Sequence, residues 1–474
     1  LMDVHEERGP AYLTGRVAVG QGRTLSCCAV VDNLVRNLFF VPAAALVEHG
    51  PELDRLQADL EANREGAKLE LMKYFHQKFA PLKAEVRQLL ANHRIENFSM
   101  VPVQRNYGFE NKAVARARQW VLKVKYFAKD PALSDLERGE HFKAVFGVRT
   151  SPLETLILKR KLKGPQWVLL SKPRRVETQS QVSWCKMEVT VESPKRVLSA
   201  PGLGNRPPPK ITVAAVNLKT FINPKHSTSE IVAATVMHVR DVRIDVPTES
   251  KDWNNLSRIR YFSVVRKLEG ESFPIGFEAE VKKKNASPLG KLNDGAVLSQ
   301  ASTERALLCN LLARLDKLDP DVLVGHNFAG FDADVLLRRL EKLKVPKWSR
   351  IGRIKRSRMP NLKSSQSGGM SFGAMTATAG RLIGDTYISA RELLREVDYS
   401  LASLAKTQLN EPLTSNHPEV VSCLNSKESL LGLIDLAEKQ AHMSLGLLFH
   451  LNTLPLSSQL AGVSGFLWNS CSSR

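Results

Sequence analysis

The chain has 474 residues, 43% of them hydrophobic and 24% charged, which is the composition of a globular protein long enough for two or three domains. No apolar run approaches the ~20 residues of a membrane-spanning helix, and the first residues lack a basic region followed by an apolar one, so neither a membrane span nor a secretory leader is predicted. The formal net charge of +20 predicts a polyanionic partner, with nucleic acid as the first candidate and an anionic membrane surface as the second.

Residues 1–209 are predicted to form a mixed α+β domain. Strand-like segments occur at 24–31, 38–41, 120–127, 144–148, 167–170 and 187–191, and a charged stretch at 51–95 has helical spacing. The six cysteines include no C-x-x-C pair and no zinc spacing, so reduced thiols are expected. The proline-rich segment 193–210 predicts a domain boundary.

Residues 210–454 are predicted to form a second domain with a mixed α/β sheet. Strand candidates lie at 211–218, 231–239, 262–265 and 321–324, and helix candidates at 301–318 and 331–343. Asp319-Pro320 should end the first of these helices. Residues 455–474 are too few for a domain of their own.

One segment of the second domain carries a chemical motif. Asn327 follows a predicted strand, and Phe331-Asp332 begins the next helix, which gives the pattern N-x-x-x-F-D. This pattern resembles the second exonuclease motif of B-family DNA polymerases, in which the Asp helps to hold a metal ion. By itself the pattern is weak, because a carboxylate at a helix start is equally well explained by the helix dipole.

The resemblance extends to two further motifs, both of them degenerate. The first motif, F-D-x-E-T, corresponds to residues 216–220, where Asn217 and Lys219 stand at the Asp and Glu positions. The third, Y-x-x-x-D, keeps Tyr399 but has Ser403 at the Asp position. Phosphodiester hydrolysis by two metal ions needs these carboxylates, so no bound metal and no 3′–5′ exonuclease activity are expected.

Other segments are similar, in the same order, to the alpha branch of the B-family polymerases. They include 26–28, 106–110, 145–147, 161–165, 183–186, 347–360, 380–385 and 388–393. The resemblance implies an N-terminal domain followed by a ribonuclease H-like 3′–5′ exonuclease domain. It also implies a nuclear DNA-directed DNA polymerase that extends RNA primers on DNA, requires Mg²⁺, and works with primase subunits and an accessory B subunit.

The palm motifs S-L-Y-P-S and D-T-D-S of the family are not found, so the chain is expected not to polymerise DNA. Residues 455–474 would then be the truncated start of the segment that leads to the palm. The alternative interpretation is a non-catalytic nucleic-acid-binding or scaffold product made by truncation.

Residues 338–363 contain eleven Lys or Arg around Trp348, and this basic segment is a candidate nucleic-acid contact. The predicted contact residues are Lys347, Arg350, Arg353, Lys355, Arg356 and Arg358. A solvated basic face and a nuclear-import sequence at 355–358 are the alternatives. His326, beside Asn327, is expected to be a packed histidine instead of a base.

Overall fold

A computed structural model describes the chain except for residues 21, 44–45, 47–50, 109–110, 113, 134–138, 201–205, 250–252, 256–257, 294, 363–369, 414–418 and 470–474. Within the described residues, no helix is both long and apolar enough to cross a membrane.

The described residues of the first part of the chain form three sheets. Their strands are β1 (Asp3–Glu6), β2 (Ala11–Ala18), β3 (Thr24–Val31), β4 (Val35–Pro42), β5 (Phe98–Asn106), β6 (Arg118–Phe127), β7 (Phe142–Phe146), β8 (Val168–Leu170), β9 (Arg174–Arg175), β10 (Met187–Val191) and β11 (Val197–Ser199). The strand orders are β1-β2-β3-β10-β9, β5-β6-β4-β7 and β11-β8. The pairing of β3 with β10 is parallel and the other pairings of these sheets are antiparallel.

Helices cover these sheets. They are α1 (Pro51–Glu61), α2 (Ala67–Lys78), α3 (Ala80–Asn92) and α4 (Pro152–Arg160). The predicted helical stretch at 51–95 is therefore three helices, and α2 begins after Gly66, whose φ of 80° is in the left-handed region. Helices α1 to α3 bury leucine and phenylalanine side chains against the four-stranded sheet. These helices and one face of that sheet therefore form a separate hydrophobic core.

In the second part, the described strands form a six-stranded sheet. Its strands are β12 (Ile211–Asn223), β13 (Thr228–Val242), β14 (Ile259–Arg266), β15 (Leu298–Ala301), β16 (Val322–Gly325) and β17 (Leu382–Asp385), in the order β15-β14-β13-β12-β16-β17. Strands β12, β13 and β14 pair antiparallel, whereas β16 pairs parallel to β12 and β17 parallel to β16. All strands of this sheet follow residue 210, and the mixed α/β fold predicted for this region is confirmed.

Helices lie on both faces of the six-stranded sheet. They are α5 (Phe277–Ala286), α6 (Pro288–Leu292), α7 (Glu304–Leu318), α8 (Ala333–Lys342), α9 (Phe372–Ala377), α10 (Thr386–Leu393), α11 (Leu401–Leu409), α12 (Lys427–His450) and α13 (Thr453–Ser464). One face packs on α7 and α8, and the other packs on α12 and α13. Two opposite core layers therefore hold the strands that carry the motif residues.

Helix α7 illustrates how local sequence sets these elements. Thr303 caps its start, since the Thr303 hydroxyl accepts a hydrogen bond from the Ala306 amide at 3.1 Å. Its leucine stripe is buried in the core. Asp319 takes a left-handed conformation and Pro320 cannot continue the helix, so the helix ends where the sequence predicted.

A buried ion-pair network joins the N-terminal sheet to the six-stranded sheet. The Arg16 Nε of β2 donates to Asp321 Oδ2 at 2.8 Å, and the same oxygen accepts from the Thr212 amide at 2.8 Å. The other Asp321 oxygen, Oδ1, accepts from Arg353 Nη2 at 2.9 Å. Because both Asp321 oxygens are bound by cations from different parts of the chain, this carboxylate fixes the two sheets relative to one another.

Candidate degenerate exonuclease site

Asn217 and Lys219 of the first motif lie on β12 and face helix α12. Val213 and Ala215 of β12 are buried in the core layer that contains α12, and Asn217 and Lys219 contact the same helix through Gln440. The Lys219 Nζ donates to Gln440 Oε1, and Asn217 Nδ2 donates to the same oxygen at 3.3 Å. The amide of Gln440 thus holds both side chains that replace the expected carboxylates.

Lys219 is a buried cation, with 8% of its surface exposed. Burial lowers its pKa from 10.5 to about 8, and the nearby Asp332 carboxylate offsets part of that shift. The Oδ1 atom of Asn217 is buried, and it has no hydrogen-bond partner among the described residues. The position of the first motif therefore presents an ammonium group and an amide to the site.

Asp332 ends a single π-helical turn, Phe328–Asp332, that follows Asn327. Asn327 has a φ of 60°, a left-handed conformation that asparagine tolerates better than most residues. Burial raises the pKa of Asp332 from 3.8 to about 7, and the Asp385 carboxylate adds to the rise, whereas Lys219 opposes it. Asp332 is thus the motif carboxylate that the chain retains, and it gives up its proton only near neutral pH.

Asp385 fixes this turn from the end of β17, and sequence reasoning did not assign it to the site. Its carboxylate accepts from the backbone amides of Asn327 at 2.9 Å and Ala329 at 2.8 Å. It also accepts from the Tyr387 amide at 2.9 Å, which makes it the N-cap of α10. A strand-end Asp followed by helical residues was the local signal that could have revealed this capping role.

The third motif lies beside the same turn. Tyr399 donates its hydroxyl to the Leu394 carbonyl at 3.0 Å, and its own carbonyl lies 3.0 Å from His326 Nε2. Ser403 stands in the first turn of α11, where its amide donates to the Ser400 hydroxyl at 3.3 Å. The serine offers a hydroxyl where the family pattern has a carboxylate.

His326 is a packed histidine, as the sequence predicted. Its Nδ1 lies 3.0 Å from the Thr386 hydroxyl, so both ring nitrogens have partners within the fold. Burial lowers its pKa to about 4, and the ring is therefore neutral at physiological pH. A neutral ring with both nitrogens engaged positions the Tyr399 segment and is not available as a base.

The donor set does not fit a two-metal site. Divalent cations such as Mg²⁺ prefer several anionic oxygens, whereas Asp332, Asn217 and Lys219 supply one carboxylate, one amide and one ammonium group. The nearby Asp385 carboxylate is engaged by the backbone amides of Asn327 and Ala329. Lys219 would add positive charge beside the cations. Across the described part of the chain, no group of three or more His, Cys, Asp or Glu could hold a metal ion.

The basic segment 347–358 packs against the N-terminal part of the chain. The Trp184 indole contacts two cations, the Arg350 guanidinium, 4.9 Å from the ring centre, and the Lys355 ammonium, 5.0 Å from it. Backbone hydrogen bonds join the Trp184 amide to the Arg353 carbonyl at 2.8 Å and the Lys355 amide to the Val182 carbonyl at 2.9 Å. This segment is therefore part of the contact between the N-terminal part of the chain and the second part.

These contacts correct the predicted nucleic-acid role of two residues. Arg353 is fully buried, and its Nη2 lies 3.1 Å from Asp319 Oδ1 and 2.9 Å from Asp321 Oδ1; both carboxylates raise its pKa. The Arg356 side chain is 4% exposed, and its Nη2 lies 2.8 Å from Glu7 Oε2. The prediction failed there because the acidic partners are remote in sequence.

Of the four remaining candidates for nucleic-acid contact, two have partners within the fold and two are exposed. Arg350 pairs with Asp316 at 3.4 Å, and Lys355 Nζ donates to the Gln181 carbonyl at 2.7 Å. Lys347 and Arg358 are exposed. For these four side chains the nucleic-acid role stays a prediction.

The family model described as DNA polymerase family B, exonuclease domain, matches residues 143–404, which is more than half of the chain. The chain therefore belongs to DNA polymerase family B. Within that family it is similar to the DNA polymerase alpha catalytic subunits of rice and Arabidopsis thaliana, at 42% and 41% identity over 99% of the chain, and of Xenopus laevis, at 33% over 98%. The chain spans about a third of the length of these curated relatives, 31%, 31% and 29%.

A solved structure agrees on the fold. The family B DNA polymerase from the archaeon Pyrobaculum calidifontis matches all of the chain and 48% of its own length, with a TM-score of 0.55 and 15% sequence identity. The six-stranded sheet with helices on both faces is consistent with the ribonuclease H-like exonuclease domain that the sequence predicted. The domain limits at 209/210 and 454/455 stay predictions.

Proposed function

We propose that this chain is a part of a replicative DNA polymerase alpha catalytic subunit that has no 3′–5′ exonuclease activity. The observation that carries the proposal is the buried Lys219 beside Asp332. A cation at a position where the family pattern has a metal-binding carboxylate opposes metal binding by charge and removes a ligand at the same time.

The remaining donors strengthen this inference. Asn217 offers an amide, Ser403 offers a hydroxyl, and Asp332 has a pKa of about 7. A single motif carboxylate that is only partly ionised at neutral pH cannot offset two divalent cations. The domain then acts by its shape and its surfaces, with the Trp184 and Asp321 contacts holding it against the N-terminal sheet.

The activity of the whole polymerase is a further part of the proposal. Similarity over 99% of the chain to proteins described as DNA polymerase alpha catalytic subunits supports a role in extending RNA primers with DNA. We propose that the complete subunit requires Mg²⁺, assembles with primase subunits and an accessory B subunit, and works in the nucleus. The residues described in this chain would position the template without catalysing nucleotide addition.

A digestion assay tests the exonuclease proposal. The chain is incubated with 3′-labelled single-stranded DNA and Mg²⁺ or Mn²⁺, beside a variant in which Asn217→Asp, Lys219→Glu and Ser403→Asp restore the family carboxylates. We expect no metal-dependent digestion by the parent or by its Asp332→Ala variant. Digestion by the parent that Asp332→Ala abolishes would overturn the proposal.

Two further measurements complete the test. The restored variant should bind Mn²⁺ more tightly than the parent in calorimetric titration, since it regains three carboxylates and loses the buried ammonium group. Nucleotide incorporation on an RNA-primed template should be absent for this chain, and any incorporation would contradict the expectation that the chain lacks the palm.

A further inference from the structure

The four-stranded sheet β5-β6-β4-β7 is covered by helices α1 to α3 on one face and carries an apolar depression on the other. Side chains alternate along β4, since Leu38 and Phe40 belong to the core beneath the helices. The apolar residues that line the depression are Phe39, Val41, Tyr107, Val121 and Phe146. Its volume of about 220 Å³ is below the range of about 300–1,000 Å³ that is typical of small-molecule pockets, so it suits a single side chain of a larger partner.

The aromatic rings of the depression already contact other groups. The Tyr107 and Phe146 rings stack on each other with their centres 5.0 Å apart. The Arg105 guanidinium lies 5.8 Å and the Lys123 ammonium 5.9 Å from the centre of the Phe39 ring. A nucleobase would need an open ring face to stack on, whereas an aliphatic side chain needs only apolar surface. The depression therefore favours an aliphatic side chain.

A cationic groove of about 130 Å³ lies between β4, β6 and helix α4. The basic residues that line it are Lys125, Lys159, Arg160 and Lys195, and its described lining contains no carboxylate. The Lys159 Nζ donates to the neutral Asn37 Oδ1 at 3.3 Å, which leaves its charge uncompensated. Burial, and then the charges of Lys123, Lys125 and Arg160, lower the pKa of Lys159. An anionic partner would relieve this repulsion between cations.

The strand register makes the depression and the groove neighbours. Phe39 lies opposite Lys123, and Asn37, two residues earlier on β4, lies opposite Lys125. Residues at this spacing point to the same face of a sheet and are about 7 Å apart along the strand. Phe39 of the depression and Lys125 of the groove therefore belong to one continuous surface, apolar at one end and cationic at the other.

We propose that this surface binds an extended, acidic peptide segment of a partner protein, with one aliphatic side chain in the depression and carboxylates in the groove. Charge complementarity supports an acidic partner, because the four cations of the groove face no carboxylate within the described lining. The spacing sets the sequence pattern of the segment, which is an aliphatic residue with Asp or Glu about two and four positions away. The inference goes beyond the proposed function and is independent of it, because the degenerate exonuclease site is built on β12 and α12.

Fluorescence anisotropy with the whole chain tests the proposal. The probe is a labelled peptide in which one leucine is flanked on both sides by Asp and Glu at alternate positions. The groove variant carries Lys125→Gln, Lys159→Gln and Arg160→Gln. The control carries Lys225→Gln, Lys282→Gln and Lys283→Gln, which removes three exposed cations outside the depression and the groove. Circular dichroism melts verify that both variants fold.

We expect the groove variant to bind the probe about tenfold more weakly than the control does at about 100 mM salt. Changes in the probe test the two ends of the surface without altering the protein. A peptide with serine in place of the leucine, and a peptide with Asn and Gln in place of the acidic residues, should each bind the parent about tenfold more weakly than the probe.

Equal binding of the probe by the groove variant and the control would overturn the proposal, and so would equal binding of the leucine and serine peptides by the parent. Labelled dT20 is measured in parallel with the same variants. If the groove variant lost affinity for dT20 and kept its affinity for the probe, the surface would belong to nucleic acid, and the proposed peptide partner would be refuted.

Discussion

Lys219 and Gln440 are joined by a hydrogen bond although they are 221 positions apart in the sequence. The ammonium group of β12 donates to a side-chain oxygen in the middle of α12, and the same oxygen also accepts from Asn217. The helix therefore supplies a neutral acceptor to a buried cation where an exonuclease of this family would need anionic ligands.

Replacing Gln440 should destabilise the fold, because Lys219 would keep its buried charge and lose its acceptor. For Gln440→Leu we expect the free energy of unfolding to fall by about 1–3 kcal/mol. Urea denaturation measures this change, and Lys439→Ala, at an exposed neighbouring position, provides the control. Equal stabilities of the two variants would show that Lys219 does not depend on Gln440.

The pKa of Lys219 predicts a change of stability at alkaline pH. Its folded-state pKa of about 8 is below the ordinary value of 10.5, so the unfolded chain binds the proton more tightly. The contribution of this group is present above pH 10.5, and it is lost as the pH falls through 8. Between pH 8 and 10 the parent should therefore gain ~1–3 kcal/mol relative to Lys219→Met. Parallel pH profiles of the two proteins would contradict this assignment.

The pKa of Asp332 predicts that stability changes with pH in the opposite direction, and at lower pH. Its folded-state pKa of about 7 is above the ordinary value of 3.8, so its contribution is present below pH 3.8 and is lost as the pH rises through 7. The parent should lose stability relative to Asp332→Asn as the pH rises from 5 to 8. Chemical denaturation across this interval measures the difference, and Asp334→Asn, an exchange in the first turn of the adjoining helix α8, is the matched control.

The Arg353 network should be sensitive to loss of its central cation. Arg353→Ala leaves Asp319 and Asp321 buried without that partner, and removal of one member of a buried pair typically costs about 3–5 kcal/mol. Lys347→Ala, at an exposed residue of the same basic segment, should change stability by less than ~0.5 kcal/mol. Thermal melts of the two variants test the difference, and similar melting temperatures would refute a structural role for Arg353.

The Trp184 contact predicts protection of the basic segment from proteases. Trp184→Ala removes the ring that Arg350 and Lys355 contact and should increase tryptic cleavage after Lys355 and Arg356 severalfold. Trp184→Phe keeps an aromatic ring but loses the hydrogen bond from the indole to Ser349, so its cleavage rate should be intermediate. Cleavage rates followed by mass spectrometry decide this, and unchanged rates in Trp184→Ala would refute the contact.

Local patterns predicted most of the elements. The strands at 24–31 and 187–191 have the predicted bounds, and the strand at 118–127 and helix α7 begin within three residues of the predicted starts, since residue patterns and chain-breaking residues act locally. The order of strands in the sheets was beyond such reasoning, because pairing depends on contacts between remote segments. The parallel pairing of β3 with β10, about 160 residues apart, is one example.

The site was predicted in part for the same reason. Its motif positions could be found because family spacing is visible in the sequence, whereas Gln440 belongs to no motif and approaches Lys219 only in the folded chain. The nucleic-acid role predicted for Arg353 and Arg356 was wrong, because a run of basic residues in the sequence does not show which of them are buried in ion pairs. Its partners Glu7, Asp319 and Asp321 are supplied from other parts of the fold.

The contacts of Asp321 should keep the two parts of the chain associated even when the proline-rich connection at 193–210 is cut. Arg16 and Arg353 hold this carboxylate from two directions, and the Gly380 amide donates to Asp3 at 3.0 Å across the same contact. Proteolytic cleavage of the connection would divide the polypeptide. The two pieces should still elute together from a size-exclusion column until salt or denaturant disrupts these ion pairs and hydrogen bonds. Expressing residues 210–474 alone would instead leave Asp321 without Arg16, so the excised piece should be less stable than the same region in the intact chain.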